Sequence, residues 1–80
     1  MQSVLEIDLH GKNQYQSRVA IDAALRRAPL SLLRVRLIHG CHGGTALRDM
    51  ILDEYADHPK VRRVETRPDG GATDLILREY

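Results

Sequence analysis

Two clusters in this chain set acid, imidazole and glycine at spacings that can do chemistry: Ile7-Asp8-Leu9-His10-Gly11, and His39-Gly40-Cys41-His42-Gly43-Gly44-Thr45-Ala46-Leu47-Arg48. On an extended strand residues two apart share a face, which puts the Asp8 carboxylate beside the His10 imidazole. Such a pair can bind a divalent cation, Mg2+ or Mn2+, through Asp8. Alternatively, Asp8 can orient His10 as a general base for attack of water on phosphorus. In the second cluster an apolar segment ends on His39 and enters a glycine loop that opens a helix. Glycine lets the backbone approach a ligand closely, and the first N–H groups of a helix lack intrahelical partners. Gly40, Gly43 and Gly44, with Arg48 in the first helical turn, can therefore hold a phosphate. The spacing is that of neither a Walker loop nor a dinucleotide fingerprint. Cys41, His42, His39 and His10 offer zinc-type donors, although the paired C-x-x-C or H-x-x-x-H spacing of zinc sites is missing.

Each of these residues also has a plain structural use. Asp8 can pair with Arg34 or Arg36 across a strand boundary. His39 can close a strand end by bonding to loop backbone. The loop glycines can serve a tight turn, and His58, before Pro59, can cap the carbonyl end of a helix.

The elements that must position these groups are readable from periodicity. Val4 to Leu9 alternates, with Leu5, Ile7 and Leu9 on one face, and predicts a half-buried strand. Asn13 followed by Gln16 is a capping-box pattern. The helix it starts carries Ser17, Ile21, Ala24, Leu25 and Ala28 on one stripe and closes before Pro29. Leu33 to His39 predicts a second strand, Thr45 to Asp57 a second helix stopped by Pro59, and Val61 to Arg67 a third strand. Pro68-Asp69-Gly70-Gly71 is a turn, and Asp74 to Arg78 a fourth strand. Right-handed crossovers then give one α/β domain over residues 1–80. It is a two-layer βαβαββ sandwich, a small mixed four-stranded sheet with both helices on one face. Its open face would carry Glu6, Asp8, Arg34, Arg36 and some of Arg63, Glu65 and Arg67. Residues 1 to 3 are expected to fray.

Composition bounds what such a domain can do. Eighty residues support one modest core, and with no Trp or Phe and three Tyr that core is aliphatic. The scarcity of aromatics argues against a base-stacking platform for single strands. The net charge is +1, yet of twelve cationic residues only Lys12 and Lys60 are lysines. Arginine binds phosphate in bidentate fashion and also serves surface ion pairs, so Arg34 and Arg36 are read either as nucleic-acid contacts or as salt-bridged. One cysteine excludes an internal disulfide and fits a reducing, cytoplasmic setting. No segment reads as a membrane span or signal peptide, and a monomer is the expected state.

The two clusters, in this order and with these elements between them, resemble the L-D-L-H and H-G-x-G-x-G motifs of the Smr (small MutS-related) domain. His58-Pro59-Lys60-Val61 and Thr73-Asp74-Leu75-Ile76-Leu77 extend the likeness over nearly the whole chain. His42 stands where the middle loop glycine of the pattern falls, and Thr45 is one residue more before Ala46. The resemblance implies a fold similar to the C-terminal domain of translation initiation factor 3. It also implies binding of DNA or RNA, in some members on ribosomes, and nicking-endonuclease activity, with Asp8, His10, His39 and the loop glycines as the functional positions. A binding module without chemistry, docking on RNA, ribosome or protein, is the alternative.

Overall fold

The computed structural model describes residues 3–40 and 45–79. Six elements follow in the order β1 (Val4–Asp8), α1 (Gln14–Arg27), β2 (Arg34–Ile38), α2 (Ala46–Tyr55), β3 (Arg63–Thr66) and β4 (Ala72–Ile76). The sheet order is β1-β2-β4-β3, with β1 parallel to β2 and both β2 and β3 antiparallel to β4. Both helix-bearing crossovers therefore advance in one direction across the sheet, which places both helices on the same side. A single core joins them there. Ile21 and Leu25 of α1 and Met50, Ile51 and Tyr55 of α2 pack on Leu9, Val35, Leu37 and Leu75.

The register explains why one sheet face is apolar. Leu5 pairs with Val35, Val35 with Leu75 and Leu75 with Val64, a continuous row under the helices. The adjacent row is Glu6, Arg36, Asp74 and Glu65, and it faces away. At the start of α1 the capping box is complete: Gln16 N–H donates to Asn13 Oδ1 at 2.8 Å and Asn13 N–H to Gln16 Oε1 at 3.0 Å. This satisfies two N–H groups that the first turn cannot.

Several boundaries differ from the sequence reading, each because a turn claims residues that periodicity assigned to an element. Val61 is buried, but its N–H donates to His58 O, so the third strand begins at Arg63 and not at Val61. The fourth strand begins at Ala72 and not at Asp74, because Gly70, with φ +74°, closes the turn on Arg67 O and Arg67 N–H then reaches Ala72 O. It ends at Ile76 because Leu77 and Arg78 N–H both bond Leu33 O. The second helix ends at Tyr55, short of Asp57. His58 closes it through its backbone N–H, donated to Tyr55 O, while its ring Nδ1 accepts from Lys60 N–H; the side chain caps no helix carbonyl. Among the described residues no helix is long and apolar enough to cross a membrane.

Candidate functional site

Because β1 and β2 are parallel neighbours, with Asp8 opposite Ile38, the two motifs leave the sheet side by side at its C-terminal end. Leu9 N–H still bonds Ile38 O at 2.7 Å, and the chain then turns. Asp8 Oδ1 accepts from His10 N–H at 2.9 Å, an Asx-type turn that fixes His10 at the strand tip, and Gly11 follows at φ +82°. Asp8 and His10 are both exposed, and Asp8 makes no ion pair with Arg34 or Arg36 among the described residues.

Gly40 is where the motifs touch. A Cβ built there would lie 3.3 Å from Cδ2 of His10, and its φ is +79°. Glycine is thus demanded twice, by the backbone conformation and by the imidazole against it. Gly40→Ala should lower stability by about 1 kcal/mol and push His10 aside. Chemical denaturation together with the His10 ring shifts in an NMR spectrum checks both; an unchanged spectrum would contradict the contact.

His39 is held at both nitrogens. Nδ1 lies 2.9 Å from Gly40 O, which only accepts, so Nδ1 carries a proton. Nε2 lies 2.9 Å from the hydroxyl of fully buried Thr73. The backbone N–H groups of His39 and Gly40 both donate to Gly71 O. His39 thereby ties the exit of β2 to the start of β4. Thr73 pairs with Leu37 in the row under the helices, whereas Asp8 belongs to the row on the other face. The structure therefore brings His10 to Gly40, sets His39 behind Gly40, and leaves Asp8 and the His39 ring on opposite sides of the sheet.

Arg48 sits in the first turn of α2, its guanidinium 3.6 Å from Asp49, and its buried Nε has no partner among the described residues. The phosphate cradle expected at Gly43 and Gly44, and the donors Cys41 and His42, lie outside the described residues. Among the described residues no three His, Cys, Asp or Glu side chains converge as a metal site. Asp8 is one carboxylate with one oxygen already bonded to His10 N–H, so the described residues alone do not build a cation cage here.

Arg34 and Arg36 lie on the open face, and the group that organises them was not singled out from the sequence. Asp74 is 0% exposed. Its Oδ2 receives Arg34 at 2.6 Å and its Oδ1 receives Arg36 Nε at 3.1 Å, with Arg67 at 3.7 Å. Glu65 and Glu6 extend the network at 3.4 and 3.9 Å. Burial pushes the Asp74 carboxyl up, but hydrogen bonds from Arg36 and Arg34 and their charges outweigh it and hold it below the ordinary carboxylate value. The sequence signal was an acid inside the apolar run Thr73-Asp74-Leu75-Ile76, in register with arginine.

The family model described as the Smr domain matches residues 7–76. Among solved structures, the crystal structure of the Smr domain of Thermus thermophilus MutS2 matches with TM-score 0.80 and 31% identity, over 94% of this chain and 99% of that one. No significant match to a curated protein is found.

Proposed function

This chain belongs to the Smr domain family, and from that membership we propose that it binds DNA or structured RNA and hydrolyses phosphodiester bonds at the tip of β1 and β2. The observation that carries this reading is the contact of the His10 imidazole with Gly40, where the two motifs meet at the C-terminal ends of parallel strands. Ligand sites of open α/β sheets lie outside such ends.

Exposed His10 accepts a proton from the attacking water as oxygen adds to phosphorus. The P–O bond to the leaving group breaks, and the departing oxygen takes its proton from solvent. Asp8 holds His10 through the backbone N–H. His39, engaged with Gly40 O and Thr73, holds the loop entrance beside His10. Arg48 supplies positive charge at the first turn of α2. A divalent cation would be held by Asp8 and would supply positive charge to the substrate phosphate, and the proton transfer is assigned to the side chains alone.

Plasmid nicking and cleavage of structured RNA, each with and without magnesium or manganese, test the reading. Cleavage by the wild-type protein that disappears in a His10→Ala, His39→Ala pair is the expected result. Cleavage unchanged in that pair would overturn the site. The binding-only alternative draws on His39 having neither ring nitrogen free; it predicts salt-sensitive binding and no cleavage by the wild-type protein.

A further inference from the structure

The positive charge that a polyanion would find is not on the open sheet face. There Arg34, Arg36, Arg63 and Arg67 meet Asp74, Glu65, Glu6 and Glu79 in ion pairs, a charge-matched surface. Apart from Lys12 beside the first motif, cations without an ion-pair partner among the described residues gather at the other end of the molecule from the motifs. A depression of about 450 Å³ lies between the end of α1, the start of β3 and the end of β4, and Lys60, Arg62 and Arg78 line it. It continues past Lys60 into a second hollow with Arg26 and His58. None of Arg26, Lys60, Arg62 and Arg78 has an ion-pair partner among the described residues, and of the two acids lining the furrow Glu79 is offset by an ion pair while Asp22 keeps its charge. Asp22 accepts from Tyr55 O–H at 2.7 Å, and Glu79 holds Arg63.

We infer that this furrow is a second contact for the sugar–phosphate backbone of nucleic acid, remote from the reacting end. The inference rests on the nucleic-acid-binding reading and adds to it a surface that the two motifs do not contain. Concave cationic surfaces walled by low-dielectric groups concentrate positive potential, and here Pro29, Pro59 and Leu30, 75% exposed, form the apolar wall. Lys60 is built into the fold, since its Nζ caps Leu25 O at 2.8 Å at the end of α1. Arg26, Arg62 and Arg78 are exposed and line the two hollows. At about 3.3 Å per residue the stretch from Leu32 to Gly40 spans roughly 25 Å, so one duplex of about seven base pairs reaches from the furrow to the motif end. The furrow therefore supplies affinity and position without sequence preference.

The test is anisotropy of a labelled RNA hairpin and a DNA duplex across a salt series, for the wild-type protein, Arg62→Gln with Arg78→Gln, and Arg26→Gln alone. The double variant should bind at least about tenfold more weakly at physiological salt, with the slope of log K against log salt reduced by about 1.5. Arg26→Gln should move the same way by a smaller step, and thermal midpoints should stay with the wild type because all three side chains are exposed. Affinity and slope equal to those of a binding wild-type protein overturn the furrow alone. A wild-type protein that binds neither probe overturns the nucleic-acid reading and the furrow with it.

Discussion

Asp74→Ala should destabilise the domain by about 2–4 kcal/mol in urea denaturation, a large part of the roughly 4–12 kcal/mol expected of a chain this size. Removing one partner of a buried ion pair commonly costs about 3–5 kcal/mol, because the remaining charge is left in low dielectric. The Arg34 and Arg36 side chains are 28% and 25% exposed, so part of that loss returns as hydration and the effect falls toward the lower end. The loss has a second source. Arg34, Arg36 and Arg67 lie around one carboxylate, and without it three guanidinium groups repel one another over the centre of the sheet. Asp74→Asn keeps the shape and some hydrogen bonding and should lose about half as much. An Asp74→Ala protein with an unchanged urea midpoint would mean that the arginines hold themselves.

The same network sets the acid limit of the fold. The Asp74 carboxyl is lowered in the folded protein, so the unfolded chain binds its proton first as pH falls. The stabilisation is complete above the ordinary carboxylate value near 4 and is lost as pH drops through the folded value. Glu65 and Glu54 are lowered too, chiefly by hydrogen bonds from Arg63 and Arg18, and act in the same direction at the exposed surface. Urea midpoints should therefore hold from neutrality to about pH 5 and fall below it. In Asp74→Asn that fall should be shallower.

The second large effect separates the two motif histidines. His10→Ala should lower cleavage by about 10²–10⁴-fold, the usual worth of a positioned proton acceptor, with stability within about 0.5 kcal/mol of wild type because the side chain is exposed. His39→Ala should do the reverse in emphasis. It strands the hydroxyl of fully buried Thr73 and unties Gly40, so stability drops by about 1–3 kcal/mol and cleavage falls through misplacement of His10. Single-turnover rates measured beside urea midpoints distinguish the roles. Equal rate losses at unchanged stability for both variants would make His39 a proton carrier in place of a positioning residue.

The elements were legible because their signals are local. Alternation of Leu5, Ile7 and Leu9, the Asn13–Gln16 box and the helical stripe through Ile21 and Leu25 each report one chain segment in one environment, and the structure agrees with all three. Strand ends were less legible because they are decided by hydrogen bonds to other segments, as when Leu33 O takes Leu77 and Arg78 out of the sheet. The motif residues could be picked out by type and order. Their relation could not, because the parallel register that sets His39 on the helix side, away from Asp8, and His10 beside Gly40 is made between strands 30 residues apart in the chain.

The sequence by itself determined the order of elements, the apolar face and the family, and it named Asp8, His10 and His39 as candidates, because residue type and spacing along the chain carry all of these. Only the tertiary structure decided which charges remain available. Ion pairing depends on distances across strands far apart in the chain, and it commits Arg34 and Arg36 to Asp74 while leaving Arg26, Arg62 and Arg78 without carboxylates among the described residues. The two motifs are brought together by the parallel register of β1 on β2, which sets His10 beside Gly40.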